Sequence, residues 1–203
     1  MGVLADVSGK GIPAALLSSM TLGALRMAFH AGTEPAEVVN RINQLLCEKS
    51  LPWQFVTLFL FVLGPGGAGQ FISAGHNLSV VFRAGAGNLE ELGGDDFFLG
   101  MFDFATYVAR PLQLGAGDVL VVYSDGLTDA RDKEDEMFGS RRLLKILRES
   151  APLGSDAIER NLLEAIRQFT DGTPQTDDIT FLVVERCDGK VRHDDQRPRR
   201  SWA

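Results

Sequence analysis

The chain has 203 residues, 45% apolar and 23% charged. That is the make-up of one ordinary globular domain, or one domain with a tail, and it excludes wholesale disorder, collagen-like repeats and coiled coil. With 20 Lys and Arg against 27 Asp and Glu the net charge is −7, the wrong sign for a general nucleic-acid binder. The only cysteines, Cys47 and Cys187, form no metal-ligand cluster or disulfide scaffold and are at home in a reducing compartment, so a cytoplasmic location is expected.

The charge is uneven. From Arg186 onward six basic residues face three acidic ones, so this end is +3 and the body before it is −10. The segment is almost without apolar residues, and 187–203 reads as a disordered polar tail behind a domain spanning 1–186. The opening residues lack the basic first segment of a signal peptide, and Asp6 interrupts their apolar run. The most apolar uncharged stretch, 11–25, ends at Arg26. Fifteen residues are too few to cross a bilayer, so no membrane partner is expected.

In chain order, Val3 to Val7 reads as a short strand running into the Gly-rich turn Ser8-Gly9-Lys10-Gly11. Pro13 suits a first helical turn, and a helix follows over 12–29. It is apolar on most sides, which predicts cover on more than one face. After Gly32-Thr33 a second helix is predicted over 35–49, with Val38, Val39, Ile42, Leu45 and Leu46 at helical spacing. The period then shortens. β-Branched and aromatic residues over 55–62, before Gly64-Pro65-Gly66-Gly67, give a buried strand and a turn. Further strands are predicted at 69–73, 78–83, 107–112 and 118–123, helices at 140–149 and 155–169, and a last strand at 179–184. Strands grouped in meander-like order between helices imply an α+β fold with an antiparallel sheet.

Three acidic positions share one context. Asp6 ends the first strand, Asp125 follows the strand that ends at Tyr123, and Asp177-Asp178 precede the last strand. Carboxylates at strand tips are rigidly placed, and hard oxygen ligands suit Mg²⁺ or Mn²⁺. Two such ions about 4 Å apart share and activate a water for attack on phosphorus. Gly9, Gly11 and Gly126 would let the backbone approach an ion or its waters. Each Asp alone reads better as a turn residue; three at matching strand tips bring the metal reading level with it on spacing alone. Ser8-Gly9-Lys10-Gly11 fails as a nucleotide loop because Gly11 stands where Ser or Thr is needed. His76 reads as a hydrogen-bonding turn residue, and Ser8 and Ser124 lack the partners of a serine hydrolase.

The segment Ala5-Asp6-Val7-Ser8-Gly9-Lys10-Gly11-Ile12-Pro13-Ala14-Ala15-Leu16 closely resembles the opening motif of SpoIIE-type serine phosphatases, a branch of the metal-dependent (protein phosphatase 2C-like) family. The similarity continues in order through Phe55-Val56-Thr57, Ala74-Gly75-His76-Asn77, Gly117-Asp118-Val119-Leu120, Tyr123-Ser124-Asp125-Gly126-Leu127-Thr128-Asp129-Ala130, Phe138-Gly139 and Asp177-Asp178-Ile179-Thr180. The resemblance implies an α-β-β-α sandwich of two mainly antiparallel sheets, with two divalent cations, Mn²⁺ or Mg²⁺, at one end. Carried over by position, Asp6 would bridge both ions and the Val7 carbonyl would bind one. Asp125 and Asp177 would bind the second, with Asp178 adjacent. The implied reaction is hydrolysis of phosphoserine or phosphothreonine by metal-activated water. The implied partner is a phosphorylated regulatory protein, an anti-sigma-factor antagonist, and the implied assembly is a homodimer through the first helix pair. The family pattern also has strands and a Gly-Gly-Asp-type segment before the first motif, so the domain is expected to be N-terminally truncated. That sets the alternative, an impaired phosphatase domain serving as a phosphoprotein- or partner-binding module.

Overall fold

A computed structural model describes residues 1–187 apart from 31, 50–52 and 95. The predicted tail, from 188 on, lies outside the described residues. Among the described residues, eight strands form two four-stranded sheets. The first has the order β1-β2-β3-β6, built from Gly2–Val7, Val56–Leu63, Ala68–Ala74 and Arg110–Gln113. The second has the order β5-β4-β7-β8, built from Asn88–Leu92, Ser79–Arg83, Val119–Tyr123 and Phe181–Glu185. Every pairing within the sheets is antiparallel.

Strand alternation sorts the side chains into layers. Leu4, Phe59, Phe61, Phe71, Leu120 and Val122 point into the space between the sheets. Leu58, Leu60 and Ile72, on the opposite face of the first sheet, pack with Leu17, Leu25, Val38 and Ile42 of α1 (Ile12–His30) and α2 (Pro35–Lys49). Val119, Val121 and Tyr123 turn away from the first sheet, toward α4 (Gly139–Ser150) and α5 (Ser155–Thr170). The architecture is therefore the α-β-β-α sandwich expected, in the α+β class.

Several expectations need correction. The helix over 12–29 is present, but it is not covered on several faces. Only Leu17, Thr21 and Leu25 are buried, while Ile12 and Met27 are both 77% exposed and Leu16 66%. As the outer layer, α1 turns a single stripe toward α2 and the sheet. At 19 residues it has the length and composition to cross a membrane, which the count of fifteen uncharged residues understated. The strand predicted at 107–112 is only Arg110–Gln113. Tyr107 is buried elsewhere: its N–H donates to Asn40 Oδ1 at 2.9 Å and its hydroxyl to the Phe98 carbonyl at 3.0 Å. Asn88–Leu92 is a strand that the periodicity misses.

Candidate metal centre

Asp6 does not end its strand but lies within β1, opposite Thr57 of β2. Leu4 and Phe59, the preceding opposed pair on the same face, lie between the sheets. Asp6 and Thr57 therefore continue that inward row to the place where the inter-sheet space opens. Asp125 starts a one-turn helix, α3 (Asp125–Thr128), directly after β7. Asp177 and Asp178 lie in the loop before β8, which begins at Phe181 rather than at Ile179. All four acidic residues line one open cleft of about 860 Å³, together with Val7, Ser8, Lys10 and Thr57.

Two serines set this geometry. The Ser8 Oγ accepts from the Phe55 N–H at 2.8 Å, and the Ser8 N–H donates to the Phe55 carbonyl at 2.9 Å. The start of β2 is thereby fixed beside the end of β1. The Ser124 hydroxyl donates to the Asp178 carbonyl at 3.0 Å and accepts from the Thr180 N–H at 3.0 Å, so the Asp177-Asp178 loop is held against the end of β7. Gly126 serves the same contact. A Cβ there would stand 2.3 Å from the Asp178 carbonyl oxygen, so this glycine makes room for protein backbone rather than for an ion. Gly9 and Gly11 have φ of 89° and 78°, a left-handed backbone that glycine adopts without strain. Between them Lys10 reaches across the cleft and donates from Nζ to the Thr176 carbonyl at 3.0 Å.

The electrostatics are those of crowded like charges. Burial, then the Asp125 charge, hold the Asp6 carboxyl above the usual range; Asp177 and a hydrogen bond shared with Asp125 add to this, and the Val7 N–H opposes it. Lys10 is the one base among the described residues lining the cleft. A cluster of hard, mutually repelling carboxylate oxygens with little positive charge beside it fits divalent cations. Among the described residues, no three Asp, Glu, His or Cys side chains stand close enough to enclose an ion unaided. The Asp125 charge acts on Asp6 more strongly than that of Asp177. Mg²⁺-type sites commonly combine one or two carboxylates with retained waters, and this set meets that description.

The family model described as Stage II sporulation protein E (SpoIIE) matches residues 2–187. The chain belongs to the SpoIIE family. Among curated relatives, the phosphoserine phosphatase RsbU of Bacillus subtilis is 28% identical over 185 residues, covering 90% of this chain and 54% of RsbU. The chain thus spans about half the length of that relative. Among solved structures, the RsbU and RsbW domains of Rv1364c from Mycobacterium tuberculosis superpose with a TM-score of 0.74 at 23% identity, over 91% of this chain and 51% of that one. The PP2C phosphatase domain of SpoIIE from Bacillus subtilis, with a fragment of its regulatory domain, gives 0.70 at 21% identity, over 90% and 53%. These structures share the fold described above.

Sequence reasoning singled out the acidic residues of the SpoIIE-family cleft but missed Thr57, Lys10 and the two tethering serines as parts of it. A signal was present for the serines: each sits within two residues of one of the acidic residues singled out, Asp6 or Asp125.

Proposed function

We propose that this chain is a metal-dependent phosphoprotein phosphatase that hydrolyses phosphoserine or phosphothreonine on a regulatory protein, an anti-sigma-factor antagonist, in bacterial cytoplasmic signalling. The observation that carries the reading is the gathering of Asp6, Asp125, Asp177 and Asp178, distant in sequence, around one cleft in a SpoIIE-family fold. Similarity to a phosphoserine phosphatase supports the substrate class.

In this reading Asp6, the Val7 carbonyl, Asp125, Asp177 and Asp178 hold two Mn²⁺ or Mg²⁺ ions. When bound, such ions supply Lewis acidity and a water of lowered pKa. The protein's own part is rigidity. Ser8 and Ser124 fix the segments that carry the carboxylates, and Gly126 brings α3 against the Asp178 backbone. Lys10 offsets part of the negative field that a phosphoryl dianion must cross. The outward apolar residues of α1, Ile12, Leu16 and Met27, are the surface for a homodimer, tested by sedimentation of Leu16→Glu. The domain is taken as 1–186, followed by the polar tail.

The test is phosphate release from a phosphoserine protein and from an aryl phosphate with excess Mn²⁺. Turnover that falls at least about 100-fold in Asp6→Asn and Asp125→Asn is expected, on the scale of lost transition-state charge stabilisation. A second reading, phosphoprotein binding without turnover, is favoured by the lack, among the described residues, of three acidic side chains close enough to enclose an ion unaided. It predicts binding of the phosphorylated protein with no release of phosphate at any Mn²⁺ concentration.

A further inference from the structure

We propose that His76 and Thr57 form a positioning pair for Asp6, with the imidazole fixing the Thr57 hydroxyl and the hydroxyl ordering the carboxylate and its surroundings. The proposal rests on the reading that Asp6 holds a divalent cation.

His76 belongs to none of the acidic groups, yet it is among the most enclosed polar residues of the molecule, at 5% exposure. It follows the end of β3, one residue beyond the bridge between Leu58 and Gly75, and the Phe59 ring lies 6.5 Å from its own. Its Nδ1 is 3.0 Å from Thr57 Oγ1, while its Nε2 is buried and meets no partner in hydrogen-bond geometry. A histidine that merely filled the core would leave both nitrogens to be satisfied at some cost. Here the ring's well-formed side-chain bond goes to a residue that lines the cleft, with the Tyr123 backbone nearby.

Thr57 is directly opposite Asp6 in the antiparallel ladder. Opposed residues share a sheet face with Cβ atoms about 4.5–5.5 Å apart, so the hydroxyl and the carboxylate are neighbours. The β-branch of threonine restricts χ1, and the bond to His76 removes the remaining rotation of the hydroxyl. Whichever ring nitrogen carries the proton, the hydroxyl is committed to His76 on a side chain that also lines the cleft. Outer groups of this kind orient ligating carboxylates, and their loss costs roughly 10–100-fold in metal affinity.

The experiment measures Mn²⁺ binding by calorimetry, thermal melting in EDTA, and kcat and KM with a phosphoserine peptide. The proteins are the parent, Thr57→Val, Thr57→Ser, His76→Asn and the double variant Thr57→Val/His76→Asn. Thr57→Val keeps the side-chain shape and is expected to bind Mn²⁺ roughly 10-fold more weakly, with kcat reduced and KM little changed. Thr57→Ser is expected to restore affinity to within about threefold, and the double variant to be no worse than the weaker single one, as for groups acting in series. Parent-like Mn²⁺ affinity in a folded Thr57→Val overturns the proposal, as do additive losses in the double variant. Should His76→Asn fail to fold, the Val and Ser pair at Thr57 decides alone. A parent that binds no Mn²⁺ removes the underlying reading; a parent that binds while Thr57→Val binds equally removes only this one.

Discussion

Protonating His76 in place should destabilise the fold below neutral pH. The ring is buried, and burial pushes its pKa down from 6.5 to about 4, against the Tyr123 backbone and the Asp125 charge, which favour the imidazolium. An unfolded chain titrates near 6.5. Between pH 6.5 and 4 the unfolded state therefore carries a proton that the folded state refuses, so this stability is complete above pH 6.5 and is lost as the pH falls through that window. At about 1.36 kcal/mol for each pH unit, the full loss is about 3 kcal/mol, of which about 2 kcal/mol falls between pH 6.5 and 5. Urea unfolding in EDTA at pH 7, 6 and 5, for the parent and His76→Asn, isolates it. The raised Asp6 carboxyl acts in the opposite sense, since its folded form takes up a proton first. It is common to both proteins and cancels to first order in the comparison. The parent should lose about 2 kcal/mol more than the variant from pH 6.5 to 5. Parallel losses, or a His76 ring that titrates near 6.5 by NMR, refute the reasoning.

Asp118→Ala should cost about 2–3 kcal/mol at pH 7, because it strands the Gly115 and Ala84 N–H groups and one Arg83 contact; urea unfolding measures it. Burial alone would raise the Asp118 pKa, but those two N–H groups and Arg83 hold it below the usual range. The Asp118 contribution is therefore present above the ordinary carboxylate pKa and disappears as acid protonates the folded form. Asp125→Asn should melt higher than the parent in EDTA, since it relieves the repulsion on Asp6, and should gain nothing from Mn²⁺. Saturating Mn²⁺ at 100 to 1,000 times Kd should add about 3–4 kcal/mol to the parent. Gly126→Ala should lower both Mn²⁺ affinity and phosphate release, because its methyl would meet the Asp178 carbonyl oxygen at 2.3 Å; equal Mn²⁺ titrations of variant and parent would contradict this.

How much was legible depended on how local the cause was. The start of α1 is written in Gly11-Ile12-Pro13, and α2 in its apolar spacing, so both helices lie where the pattern puts them. β5 escaped because Glu90 and Glu91 give an edge strand the look of a loop, with only Leu92 buried. The run Tyr107-Val108-Ala109 has strand-like residues, but Asn40 of α2 takes up the Tyr107 backbone, a contact 67 residues distant that no local pattern reveals. The acidic cluster was visible as a recurrence at strand ends. Thr57 was not, because its place beside Asp6 depends on the β1–β2 register and on which face of the sheet meets the second sheet.

That same register explains why the cleft lies where it does. Residues 2, 4 and 6 of β1 alternate with residues 3, 5 and 7, and the odd row packs under the α1–α2 layer while Leu4 lies between the sheets. Continuing the even row by one step turns the next side chain toward the rim of the inter-sheet space, where water can reach it. Placed two residues earlier, at Leu4, a carboxylate would sit in the apolar layer and carry a desolvation penalty of several kcal/mol. At position 6 it is only partly buried, and Asp125 and Asp177 opposite it are exposed. Water screens most of their mutual repulsion in the absence of a cation. The fold thus tolerates the charge cluster at its margin, while β1 and the segments tethered by Ser8 and Ser124 hold the carboxylates rigidly enough to act together.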